Sequence, residues 1–269
     1  ELAATDLAHT LFVKLPKFAL VDISSTISSG DFKFNGAAAA SNGKIIFAPY
    51  HADGVGVFDP SDNSFVLVDI ASTISTDWKF IGAAAASNGK VIFAPFHADG
   101  VGVFDPSDNS FVLVDISSTI SSGDGIYKFN GAAAASNGKI IFAPYHADGV
   151  GVFDPSDNSF VLVDIASTIS TDSKFIGAAT AGNGKVIFAP YNADGVGVFD
   201  PSDNSFALVD ISSTISTDNK FQGAATASNG KVIFVPSAAD GLGIFEVTNF
   251  ACDASTAPTN GGLGNCTDT

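Results

Sequence analysis

One stretch of 38 residues occurs twice without a change. Lys33 to Ile70 and Lys128 to Ile165 both read KFNGAAAASNGKIIFAPYHADGVGVFDPSDNSFVLVDI. Close variants run from Lys79 to Ile116 and from Lys174 to Ile211, and a shortened one begins at Lys220. The glycine two residues after the Phe of each Lys-Phe pair falls at Gly36, Gly82, Gly131, Gly177 and Gly223, at steps of 46, 49, 46 and 46 residues. Self-similarity at this period means a propeller or a solenoid, because each unit must bury its apolar faces against its neighbours.

Each unit carries four strand signals. In the first they are Phe34–Ala40, Lys44–Ala48, Gly54–Phe58 and Phe65–Ile70. Between them lie Ser41-Asn42-Gly43, the loop Tyr50–Gly54, and Asp59-Pro60-Ser61-Asp62-Asn63. Asn-Gly supplies the positive φ of a tight hairpin. Asp-Pro-Ser-Asp-Asn suits a type I turn with a left-handed exit at Asn. Ala37–Ala40 has helical propensity, but Gly36 and Asn42-Gly43 bracket it and it is too short for a helix. Runs such as Phe65-Val66-Leu67-Val68 indicate strands buried on both faces. Four short antiparallel strands per repeat make a propeller blade. The slim Gly-Ala-Ala-Ala-Ala strand suits the crowded channel of a five-fold ring.

The ends point to closure. Phe18–Ile23 copies the end of a unit (compare Phe206–Ile211), while the fifth unit stops at Phe245 without its own copy. The expected fold is therefore all-β: a five-bladed β-propeller over residues 17–247, its last blade completed by residues 18–23. Residues 1–16 form an N-terminal extension in which Leu11, Phe12 and Val13 suit either an edge strand or a cover over the body, and Pro16 ends that segment. Residues 248–269 form a tail.

In that tail Cys252 and Cys266 are read as a disulfide, worth about 3 kcal/mol in the loop-entropy model, which implies an oxidising compartment. Asn265-Cys266-Thr267 matches a glycosylation sequon. The chain has no Met and shows no leader, as expected of a mature secreted or organelle-lumen product. No apolar run is long enough to span a membrane as a helix. The net charge is −16 with no Arg, and ten of the twelve Lys occupy two fixed repeat positions. Such a chain lacks the basic surface needed for nucleic acid and is repelled by anionic lipid.

The pattern NGKIIFAPYHADGVGVFDP resembles the NGKIY-type repeats of proteins from algae and other protists, over residues 18–246. That resemblance implies a propeller, brings no catalytic residues and suggests a photosynthetic lumen as one home. In blade count and repeat length the architecture is also similar to the tachylectin-type lectins, without their sequence motif.

The candidate ligand-binding loops are Tyr50-His51-Ala52-Asp53, Phe96-His97-Ala98-Asp99, Tyr145-His146-Ala147-Asp148 and Tyr191-Asn192-Ala193-Asp194. The fifth, Ser237-Ala238-Ala239-Asp240, has lost its aromatic. An aromatic ring beside a carboxylate and a His or Asn suits a sugar, whose apolar face the ring covers while its hydroxyls take the polar groups. Several such pockets would give multivalency. The competing reading makes Asp-Gly a turn and packs the aromatic against the next blade.

Trp78, the single Trp, is read as an interface anchor in the blade linker, together with Ile126 and Tyr127 of the insertion Gly125-Ile126-Tyr127. The Asp-Pro-Ser-Asp-Asn turns lack the pattern of a calcium loop and are read as structural. Asp22, Asp69, Asp115, Asp164 and Asp210 are expected to cap the linkers. No metal or cofactor is expected. An enzyme is not expected either: the chain has only Glu1 and Glu246 besides repeated Asp residues, and a glycosidase needs asymmetric carboxylates. The leading expectation is a multivalent carbohydrate-binding protein; the rival is an accessory subunit docked to a protein partner in a larger assembly. The oligomeric state is left open.

Overall fold

The computed structural model describes residues 18–27, 30–120 and 127–247, and the backbone of two short strands in the tail. Four complete sheets repeat one antiparallel meander. The first is β1 (Phe34–Ala39), β2 (Ile45–Pro49), β3 (Gly54–Asp59) and β4 (Ser64–Asp69). The second is β5 (Phe80–Ala85), β6 (Val91–Pro95), β7 (Gly100–Asp105) and β8 (Ser110–Asp115). The third is β9 (Phe129–Ala134), β10 (Ile140–Pro144), β11 (Gly149–Asp154) and β12 (Ser159–Asp164). The fourth is β13 (Phe175–Thr180), β14 (Val186–Pro190), β15 (Gly195–Asp200) and β16 (Ser205–Asp210). The fifth has three strands, β17 (Phe221–Thr226), β18 (Val232–Pro236) and β19 (Gly243–Phe245). The described residues contain no helix, and the alanine run lies in a strand.

Local chemistry accounts for each turn. Asn63, Asn109, Asn158 and Asn204 take the left-handed exit, at φ 61, 58, 60 and 59°, where a short polar side chain is tolerated. The predicted linker caps are made: the carboxylates of Asp69, Asp115, Asp164 and Asp210 accept the amide two residues on, each at 2.8 Å. The Asp59 carboxylate accepts both the amide and the hydroxyl of Ser61. That hydroxyl, then the amide, holds its pKa below the usual carboxylate range.

Each blade has two unlike faces. One carries phenylalanines, the other Ala, Ile and Val, and the phenyl face of each blade packs on the aliphatic face of the one before. Phe80, Phe93 and Phe104 of the second blade thus seat against Ile46, Val55, Val57 and Ile70 of the first. The same sandwich recurs between blades two and three, three and four, and four and five. Along the inner edge β1 packs on β5, β5 on β9, β9 on β13 and β13 on β17. Ties across blades reinforce this: Asn42, Asn88 and Asn137 donate to the carbonyls of Pro106, Pro155 and Pro201, at 3.0, 2.8 and 2.8 Å.

The predicted closure is not made in this structure. Among the described residues, Phe18–Ile23 runs as coil and pairs with no strand, and no strand pairs with the outer edge of β19. Among the described residues the first blade therefore has no neighbouring blade on its phenyl face. The fifth has none on its aliphatic face, where Val235, Leu242 and Ile244 are exposed. The predicted extension at residues 1–16 lies outside the described residues. In the tail, β20 (Phe250–Cys252) pairs antiparallel with β21 (Cys266–Asp268), with Cys252 opposite Cys266. The side chains of that predicted disulfide lie outside the described residues.

Candidate functional site

The loop after the second strand of each blade ends against the next blade. The amide of Lys79 donates to the Tyr50 carbonyl at 3.1 Å, and those of Lys128, Lys174 and Lys220 donate to Phe96, Tyr145 and Tyr191 at 2.7, 2.9 and 2.9 Å. The four lysine side chains are almost fully buried. Lys128 Nζ donates to the carbonyls of His97 and Ala98 at 3.3 and 2.9 Å and pairs with Asp99 at 3.1 Å. Lys174 and Lys220 reach Asp148 and Asp194 at 3.7 and 3.6 Å. Burial pushes the ammonium pKa of Lys79, Lys128 and Lys174 down, and the facing aspartates partly oppose it. The predicted ligand aspartates Asp99, Asp148 and Asp194 therefore also balance a buried charge. Asp53, with Asp77, likewise opposes the effect of burial on Lys79, whose Nζ donates to the His51 carbonyl at 3.5 Å.

The predicted aromatics do not form separate pockets. Tyr50, Phe96, Tyr145 and Tyr191 follow one another around the arc, with ring centroids 6.2, 5.8 and 6.3 Å apart. Phe96 is the buried member of this row. Trp78 and Tyr127 join it. Tyr127 stacks on Phe96 at 4.6 Å and 6°, and Trp78 meets Tyr127 edge-on at 5.5 Å. Tyr127 is thus more than part of an insertion. It immediately precedes the blade's first lysine, as Phe32, Trp78, Ser173 and Asn219 do, and its carbonyl takes the His146 amide just as that of Trp78 takes the His97 amide. Counting back from each Lys-Phe pair would have found this position. Ile126 lies outside the described residues.

The polar groups of the loops turn to the following linker. His51 Nδ1 stands 3.1 Å from Asp77, His146 Nε2 lies 3.2 Å from the Ser173 hydroxyl, and Asn192 accepts the Asn219 amide at 3.0 Å. His97 lies between Trp78 and Tyr127, 6.2 Å from each ring. The three imidazoles are spread along the arc, and the described residues hold no metal-binding cluster. Burial lowers the His146 pKa and raises that of Tyr50. The result is one half-buried aromatic strip, with exposed carboxylates beside it at Asp53, Asp77, Asp99, Asp148 and Asp194. It can cover an apolar ligand face and accept hydrogen bonds at its rim.

No family model and no curated protein matches the sequence, so the NGKIY resemblance stands on its motif alone. Solved structures show the fold. The H270A virginiamycin B lyase from Staphylococcus aureus, crystallised with quinupristin, aligns with a TM-score of 0.67 at 14% identity, over 81% of this chain and 68% of that one. The extracellular domain of a hybrid two component system from B. thetaiotaomicron aligns at 0.60 and 18%, over 86% of this chain and 32% of that one. A gluconolactonase-like protein aligns at 0.54 and 12%, over 81% and 76%.

The chain therefore has a β-propeller fold. The expectation that it is not an enzyme is overturned: the proteins sharing this fold include a lyase and a gluconolactonase-like protein. At 12–14% identity these likenesses establish no activity. Some of the proteins it resembles are extracellular domains, and no helix among the described residues is long and apolar enough to cross a membrane.

Proposed function

We propose that the aromatic strip binds an extended carbohydrate. The observation that carries this reading is the unbroken row Tyr50–Phe96–Tyr145–Tyr191, widened by Trp78 and Tyr127. Sugar rings lie on the open faces of Tyr50, Tyr127, Tyr145 and Tyr191, with buried Phe96 backing Tyr127, and the rim carboxylates and Asn192 take hydroxyls. One strip engaging several rings of one ligand gains by effective concentration. The carboxylates select neutral or cationic glycans and repel acidic ones.

Trp78 reports on this site because it is the only Trp. Titration with neutral oligosaccharides is expected to change its fluorescence and to release heat. Tyr145→Ala is expected to weaken binding about tenfold, the effect of losing an aromatic anchor worth roughly 1.4 kcal/mol. A panel of neutral, cationic and acidic oligosaccharides giving neither heat nor fluorescence change would sink the reading.

The compartment proposed is secreted or lumenal, which the Cys252–Cys266 register supports. A bridge there leaves the intact mass two daltons below that of the reduced chain. Full alkylation of both thiols without prior reduction would exclude it.

A further inference from the structure

The two ends of the arc carry matching halves of one interface. At the front, Phe34, Phe47 and Phe58 are only partly covered, whereas their counterparts Phe80, Phe93 and Phe104 are fully buried. At the rear, Leu242 and Ile244 are exposed, whereas their counterparts Val101 and Val103 are buried. The bare edge of β19 opens a groove of about 570 Å³ whose lining includes Val196, Ile211, Phe221, Phe234, Leu242 and Phe245.

The segment Phe18–Ile23 is half engaged. The Ile23 carbonyl accepts the Thr26 and Ile27 amides as the Ile70 carbonyl accepts those of Thr73 and Ile74. Val21 and Ile23 line the hollow over the phenyl face of the first blade. The other side of the segment has no cover: Phe18 and Leu20 are 89% and 85% exposed. Their counterparts Phe206 and Leu208 pack into the core of the fourth blade.

The charges match as well. Four of the five repeated Lys-Phe lysines are buried against the preceding blade, and three of them pair with its loop aspartate. Lys33 has no preceding blade and folds back on the Gly30 carbonyl. Asp240 is exposed and has no following blade to supply a lysine.

The geometry points to a second copy of this chain, docked head to tail. Its phenyl face covers the fifth blade, its Phe18–Ile23 becomes the missing strand beside β19, and its Lys33 pairs with Asp240. This continues the interface already made four times within the chain. In the completed sheet Phe18 lies opposite Phe245 and Leu20 opposite Gly243, as Phe65 lies opposite Phe58 and Leu67 opposite Gly56. A second copy is favoured over the chain's own front end because all four internal interfaces are formed and the ends still stand apart. Drawing them together would deform close-packed cores that resist compression, whereas an added copy deforms none. The contact is heterologous, so it propagates into a larger ring or a filament.

Sedimentation equilibrium of the full chain tests this through a charge swap. The wild type is expected to gain mass with concentration beyond a dimer. Lys33→Asp and Asp240→Lys, each alone, are expected to stay monomeric, and mixing the two variants is expected to restore association. Val112→Asp, on an exposed outer strand away from both ends, is expected to associate like the wild type. A wild type that is monomeric at every concentration would overturn the proposal in favour of closure within one chain. Association that survives both single charge changes, or a mixture that stays monomeric, would overturn it too.

Discussion

Gly82→Val is expected to cost about 3–5 kcal/mol, the sum of a strained backbone position and overpacking against a rigid neighbour. Gly82 lies in a bulge where Ile81 and Gly82 face Ala94, between the pairs Phe80–Pro95 and Ala83–Phe93. Its φ is +91°, open to glycine at no steric cost. A Cβ there would stand 2.8 Å from Gly131 Cα and 3.2 Å from the Ala132 nitrogen. Both are backbone atoms of the next inner strand, so no rotamer change relieves the contact. Gly36, Gly131 and Gly177 make the same approach to the next blade. Gly89→Ala separates the two causes: its φ is +87°, but the added Cβ would meet only the Ser41 hydroxyl, at 3.6 Å. It is expected to lose about 1 kcal/mol, from left-handed strain alone. Equilibrium urea unfolding measures both, and equal losses would show that the inner strands are not in close contact.

Lys128→Met is expected to lose about 2–4 kcal/mol. The thioether fills the space but leaves the His97 and Ala98 carbonyls without their donor, at about 1–3 kcal/mol for each buried acceptor. Asp99→Asn is expected to cost less, because the buried Lys128 ammonium keeps the His97 and Ala98 carbonyls as acceptors and the Asn amide oxygen can still face it.

The lysine also sets a pH signature. Burial holds the Lys128 pKa below its ordinary value, so the unfolded chain keeps this proton to higher pH than the folded one. Stability from this group therefore rises with pH between the depressed folded value and the ordinary one, near about 10.4. The wild-type advantage over Lys128→Met is expected to widen across that window. A constant difference from neutral pH to about 10 would show that the ammonium is not desolvated in the fold.

Much of the blade was legible in the sequence, because its determinants lie within one repeat. Asn-Gly makes the hairpin, Asn63 and its copies make the left-handed exit, and Asp69 and its copies cap the linkers; the run Phe65–Val68, read as buried on both faces, is instead an outer strand with Val66 exposed to solvent. The observed β1–β4 depart from the predicted bounds by one residue at most.

What a residue does across the gap between blades was not legible. The repeated lysine, Asn42 and the position of Trp78 and Tyr127 act on a neighbouring blade, and identical repeats carry no mark of which blade each side chain meets. The loop aspartates were read as ligand groups because their lysine partners lie 26 to 29 residues away and meet them only when the blades stack. The aromatic residues were read as repeated pockets for the same reason. Their union into one strip depends on the spacing between blades.

Closure lies furthest from the sequence. Phe18–Ile23 copies the end of a unit and the fifth unit lacks that end, and the sequence by itself determines that much. Which strand end meets which depends on the sum of four rotations between blades, each set by how phenyl faces bed on aliphatic ones. That sum belongs to the packed body as a whole, so only the tertiary structure could show two complementary ends standing apart.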